Sequence, residues 1–281
     1  MITLIRLEVF KLIRRLRSYL GFGALLAMAG LVVLALALGG DVTFGPSIPQ
    51  GFGMIGSYQN GGFVAWMLLM MATRFLLPLF ACVVVGDMIS GEAADGTLRV
   101  VLSRPVGRGK LFAGKFVVSA LYVLKLTFFL GIAAYGIGSI FLGHGALVAF
   151  DEGNSTAGPG VYVYNELEGI VRLLAAYAFA ALGVLSVATI AFFISVLVSN
   201  SLGAIGGAMM TFIIFEIVGA ISYFKPIHPF LFTTHMHSMG GLFATPIPWA
   251  EIGKSIGVLA VYVLTFFIAG LVIFRRRDVL S

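Results

Sequence analysis

Six stretches of about 20 or more residues run along this chain with hardly a charge among them, near 18–39, 63–86, 112–141, 170–199, 203–223 and 252–274. A helix needs roughly 20 apolar residues to cross the ~30 Å hydrocarbon layer of a bilayer. Only helices and closed barrels satisfy their backbone polar groups there. Runs of this length are helical, so the spacing predicts an all-α, polytopic membrane protein: a single transmembrane domain over 1–281 with six transmembrane helices. Composition agrees, because a chain that is 60% hydrophobic and 11% charged carries more apolar surface than a soluble core of its length can bury. Ala35-Leu36-Ala37 has the form of a signal-peptidase site. The apolar run before it is too long for an ordinary signal peptide, so the first span is expected to stay.

Basic residues set the orientation, since Lys and Arg accumulate in the short loops of the cytoplasmic side. Arg6, Lys11, Arg14, Arg15 and Arg17 precede the first span. Arg99, Arg104, Arg108, Lys110 and Lys115 lie between the second and third, and Arg275, Arg276 and Arg277 follow the sixth. The opposite loops hold Asp41, Asp151, Glu152, Glu166, Glu168 and Glu251 with few cations. Both termini are therefore expected in the cytoplasm, in a plasma (inner) membrane. The pI near 9.6 follows from this topology and does not indicate a nucleic-acid partner. Cys82 stands alone inside a span, which excludes an intrachain disulfide or thiolate metal site.

Two segments outside the spans carry structure of their own. In residues 1–17, Ile2, Ile5, Val9, Leu12, Ile13 and Leu16 fall within about 100° of helical arc and every Arg and Lys lies elsewhere. This reads as an amphipathic helix along the membrane surface. Residues 86–115 form a polar, basic island in which Asp87, Glu92 and Asp95 come early and the cations late, matching a helix dipole. A short helix over about 90–102, stopped by Pro105, is the expected form. Val161-Tyr162-Val163-Tyr164 reads as a strand or interfacial lip, and 224–248, rich in Pro and aromatics, as broken or re-entrant helices. Trp66 and Trp249 are expected at the outer headgroup zone.

Glu92, Gly96-Thr97-Leu98-Arg99, Leu102-Ser103-Arg104-Pro105-Val106, Arg108 and Gly114-Lys115 together resemble the signature of the ABC-2 type transporter permeases. Phe274-Arg275-Arg276-Arg277-Asp278 is similar to that family's habitual ending after the sixth span. The resemblance implies that the N-terminal helix is a connecting elbow and that 88–105 is a cytoplasmic coupling helix. That helix would seat in a separate ATP-binding subunit through Glu92, Gly96, Thr97, Leu98, Arg99 and Arg104. It further implies two permeases, alike or different, with two ATPase copies, and ATP and magnesium bound on the partner.

The remaining constellations stay open. Residues 109–115 approach a phosphate-binding loop, but Phe116 stands where a Ser or Thr would hold magnesium and no strand precedes, so nucleotide binding on this chain is excluded. Arg74, Lys125 and Glu216 fall inside spans, where an ionised side chain demands a partner or water. Either a cation pairs with Glu216 for packing, or the trio lines a substrate path. Gly203 and Gly207 offer a small-residue face for a dimer seam or for packing within one chain. His228, His235 and His237 cluster with methionines, a weak pattern for a metal that is not expected to be one. No convergent acid, base and nucleophile is present, so no catalytic residue and no enzymatic activity are expected. The expected function is the permease subunit of an ATP-driven exporter. The alternative is a secondary transporter or ion channel using Arg74, Lys125 and Glu216.

Overall fold

The computed structural model describes residues 2–38, 59–97, 107–151 and 160–276. The helices are α1 (Ile2–Arg14), α2 (Leu16–Ala37), α3 (Gly61–Arg74), α4 (Leu76–Ala94), α5 (Arg108–Leu142), α6 (Glu166–Leu197), α7 (Ser201–Ala220), α8 (Phe232–His237) and α9 (Trp249–Arg276). Six of them, α2, α4, α5, α6, α7 and α9, are long and apolar enough to cross a membrane. The protein is an all-α polytopic membrane protein. Asparagine begins three helices: Asn60, Asn165 and Asn200 each accept a hydrogen bond from a backbone N–H of the first turn of α3, α6 and α7. Glu166 and Glu168 at the start of α6, and Arg275 and Arg276 at the end of α9, sit where the helix dipole favours them.

The second apolar run is two helices rather than one. The cause lies three residues beyond the break: Pro78 has no N–H for the carbonyl of Arg74, and its ring crowds that carbonyl. Helix α3 therefore stops at Arg74, Phe75 adopts φ −151°, and α4 restarts at Leu76.

Helices α4 and α6 pack against each other at the centre, with α3 beside them, while α2, α7 and α9 stand at the periphery and expose much of their apolar surface. Close approach depends on particular glycines. A Cβ at Gly138 in α5 would lie 2.9 Å from the backbone of Gly61 in α3, and one at Gly61 would meet the α5 backbone at 2.8 Å. Neither backbone can yield, so Gly138→Ala is expected to destabilise by about 1–3 kcal/mol through overpacking. Gly136→Ala, two residues earlier with nothing within 4 Å, should be neutral or stabilising by up to about 1 kcal/mol. Thermal melting of the detergent-solubilised variants checks this contrast.

On the face away from α1, strands β1 (Leu147–Asp151) and β2 (Gly160–Tyr164) form an antiparallel hairpin with Leu147 opposite Tyr164. The expected strand is thus present, and it adds a small sheet to the helical domain. Phe150 packs on Trp66 at 5.4 Å and on Phe63 at 6.4 Å. Trp66 is therefore a buried core residue, in correction of the headgroup position read from its place in the sequence, whereas Trp249 is exposed. Tyr164 donates to the Phe243 carbonyl at 2.6 Å, and Arg172 lies over its ring at 4.1 Å while donating to the Leu242 and Ala244 carbonyls. Burial pushes the Tyr164 hydroxyl above its ordinary range, so it remains a donor at neutral pH.

The segment between α7 and α9 is broken, as its prolines require. Short 3-10 turns at Ser222–Phe224, His228–Phe230 and Ser238–Phe243 flank α8. Met236 of α8 sits against Gly183, which lies about 26 Å along α6 from its first residue at 1.5 Å per residue. Among the described residues, this excursion supplies the polar groups that Glu216 meets inside the membrane domain.

Candidate functional site

Four charges converge where α1, the end of α4 and the start of α5 meet. Lys115 is fully buried two turns into α5. Its Nζ lies 2.8 Å from Glu92 Oε1 and 2.9 Å from Glu8 Oε2, and it donates to the Met88 carbonyl at 3.3 Å. Lys11 closes the ring, 2.9 Å from Glu92 Oε1 and 3.1 Å from Glu8 Oε1. Glu8 and Glu92 are 4% and 3% exposed, which no isolated carboxylate would tolerate. Burial by itself lowers the Lys11 ammonium, but Glu92 and Glu8 outweigh it and hold the group above its ordinary 10.5. Its contribution is complete below that value and is lost only as pH rises beyond it, so the ring does not loosen through Lys11 near neutrality.

The ring is assembled by ordinary packing. Leu4, Ile5, Val9 and Leu12 turn one face of α1 into the core, and Gly114 of α5 admits Leu4, whose Cδ2 would stand 2.6 Å from an added Cβ. Glu8 falls on that same face. Leu7, Phe10 and Ile13 are exposed on the other, and Leu16, also exposed, falls outside α1 as the first residue of α2. The helix is amphipathic as expected, but its inner stripe carries the acid, and Ile13 and Leu16 belong to the outer surface.

One and a half turns before Glu92, Asp87 forms a second node. Its carboxylate accepts from Arg15 Nη1 at 2.7 Å, from Arg17 Nη1 at 3.3 Å and from the Ser201 hydroxyl. These partners come from the α1–α2 joint, from α2 and from the first residue of α7. Gly91 leaves room beside it, because a Cβ there would push the Asp87 carboxylate out of this position. Two adjacent nodes on α4 thus hold α1, α2, α5 and α7 together at the basic face.

The connection between α4 and α5 leaves from this point. The residues expected to begin a separate helix near 90 are instead the last turns of α4, which ends at Ala94. Gly96 then takes φ +67°, a left-handed conformation that favours glycine and closes the helix. The Thr97 hydroxyl donates back to the Glu92 carbonyl at 3.3 Å. Of the six residues assigned to a partner contact, Gly96 and Thr97 are exposed at this turn. Glu92 faces inward onto Lys115 and Lys11, and Leu98, Arg99 and Arg104 lie outside the described residues.

The intramembrane charges are not brought together. Glu216 on α7 meets His237 of α8, with Nε2 to Oε1 at 3.0 Å, in place of the expected pairing with Arg74 or Lys125. Helix α7 packs principally on α4, α6 and α8. Arg74 ends α3 and Lys125 is exposed on α5, which packs on α3. Counting 1.5 Å per residue from the contact of Gly61 with Ser139, both cations lie about 20 Å down their antiparallel helices, at one depth. Lys125 has no ionic partner among the described residues.

The remaining candidates are separate. Gly207 faces Ile194 of α6 within the same chain, and Gly203 is exposed. His235 is buried, with Nε2 2.9 Å from the Pro229 carbonyl and Nδ1 2.9 Å from Ser255 Oγ. With His237 on Glu216, the three histidines form no common site. Among the described residues no group of three His, Cys, Asp or Glu is placed to hold a metal.

The fold and this network define a six-span membrane protein with a charged, interlocked basic face. Residues 49–280 match the family described as protein of unknown function (DUF2705), and the chain belongs to that family. It is 24% identical over 230 residues to the uncharacterized protein YhcI of Bacillus subtilis, covering 79% of this chain and 71% of that one. Over 57 residues it is 44% identical to the probable ABC transporter permease protein NosY of Stutzerimonas stutzeri, 20% of each chain. Over 68 residues it is 38% identical to the NosY of Pseudomonas aeruginosa, 24% of each chain.

Proposed function

We propose that this chain is the membrane-spanning permease subunit of an ABC-2 type ATP-binding-cassette exporter. It works as a dimer, with itself or a second permease, and is driven by two copies of a separate ATPase that carries ATP and magnesium. The basic face with both termini is cytoplasmic, and the connection over 95–107 is the ATPase contact. The chain supplies no catalytic acid or base. Its local likeness to NosY permeases supports this reading, as does the motif over 92–115.

The observation that supports the mechanism is that the connection leaves α4 at the exposed Gly96 and Thr97, about one helical turn beyond the buried Glu92. A push on this connection enters the end of α4 through the Gly96 turn, about one helical turn from Glu92. Lys115 passes it to α5 and, through Glu8, to α1. Asp87 passes it to α2 and α7 through Arg15, Arg17 and Ser201. Bistable motion of packed elements transmits such displacements because the interior cannot deform continuously. The reading as a secondary transporter finds no support in the trio of intramembrane charges, since Glu216 is engaged by His237.

The test is affinity purification of the full chain from native membranes in mild detergent. The native chain should bring down a soluble ATP-binding protein, and the double variant Arg99→Glu/Arg104→Glu should lose it while keeping its melting temperature. Glu92 is unsuited to this test because it is buried in the ring. Equal recovery with both chains would refute the assigned contact, and recovery of the native chain alone would refute the permease reading.

A further inference from the structure

Where α6 and α9 end at the basic face they leave a groove of about 400 Å³ lined by Val196, Leu197, Ile273 and Arg276. Three walls are apolar and belong to the last turns of two membrane-crossing helices, so the groove opens at the edge of the hydrocarbon layer. The fourth is an exposed guanidinium at its mouth. The surroundings are basic: the Arg275 guanidinium lies against Gly109 of α5, and Arg108 donates to the Arg275 carbonyl at 3.3 Å. Among the described residues, Lys110, Arg275 and Arg276 have no carboxylate partner. An apolar channel continuous with the acyl chains, capped by uncompensated cations at headgroup level, is complementary to one class of molecule.

We propose that this groove binds an anionic phospholipid of the leaflet on the basic face, with an acyl chain along Leu197 and Ile273 and the phosphate on Arg276. Basic pockets between spanning helices select acidic headgroups for this reason. A zwitterionic lipid fits the channel equally but brings a cation toward Arg276 and its neighbour Arg275. The site uses no residue of the buried ring or of the 95–107 connection, and it stands whether or not an ATPase partner exists.

The experiment is native mass spectrometry of the full chain equilibrated with equal amounts of palmitoyl-oleoyl phosphatidylglycerol and phosphatidylcholine, counting retained lipids. The native chain should retain the anionic lipid preferentially. Arg276→Gln should lower the ratio of retained anionic to zwitterionic lipid by about fivefold, the weight of one basic side chain near an anionic surface. Arg276→Lys should restore it. Leu197→Trp, filling the groove, should reduce retention of both lipids. Both positions are exposed, so the variants should keep the native melting temperature. An unchanged ratio in Arg276→Gln, or native retention in Leu197→Trp, would overturn the proposal.

Discussion

Lys115→Met is expected to destabilise the protein by about 3–5 kcal/mol, the loss that follows when one partner of a buried ion pair is removed. Methionine matches the volume but leaves the carboxylates of Glu8 and Glu92 in a buried site with only Lys11 between them. Lys11 is 41% exposed and is held less firmly than Lys115. The result is read as a fall in the melting temperature of the solubilised chain. The triple variant Glu8→Gln/Glu92→Gln/Lys115→Met should recover most of that loss, because replacing a whole buried charge set is often neutral. If the single variant melts like the native chain, the ring does not hold α1, α4 and α5 together.

Asp87→Ala is expected to free the start of α7. Arg15 and Arg17, 33% and 54% exposed on their side chains, can turn to solvent or lipid headgroups, so the global cost is modest. Locally the Ser201 hydroxyl loses the acceptor that ties α7 to α4. With about 2 kcal/mol removed from local opening, amide exchange over 202–210 should quicken by about 30-fold. Hydrogen-exchange mass spectrometry reads this directly. Exchange confined to native rates in α7 would mean that Asp87 does not latch this helix.

These nodes were only partly visible in the sequence. Glu8 is the one acid among the cations of 1–17 and lies on the apolar stripe with Ile5, Val9 and Leu12, a position that signals a buried partner. Pro78 marks the break after Arg74 by its missing N–H. Glu216 announced that it needed a partner, and the histidines of 228–237 were at hand, but helical periodicity does not say which side chain returns into the membrane. The ring itself joins residues 8, 11, 92 and 115, and the Asp87 node joins 15, 17, 87 and 201. No local pattern relates such distant positions.

Six apolar spans and the clustering of basic residues before the first, between the second and third and at the end of the sixth were legible in the sequence alone, because transfer of each segment into hydrocarbon depends on its own length and apolarity. The same holds for the helix starts at Asn60, Asn165 and Asn200, where the capping atoms are three residues away at most. Only the tertiary structure decided that Glu92 faces inward to Lys115, that Trp66 is buried under Phe150, and that Glu216 belongs to His237. In each case the partner is chosen by which helices pack side by side. That choice rests on close approaches such as Gly61 on Gly138, which are properties of two surfaces together and of neither segment by itself.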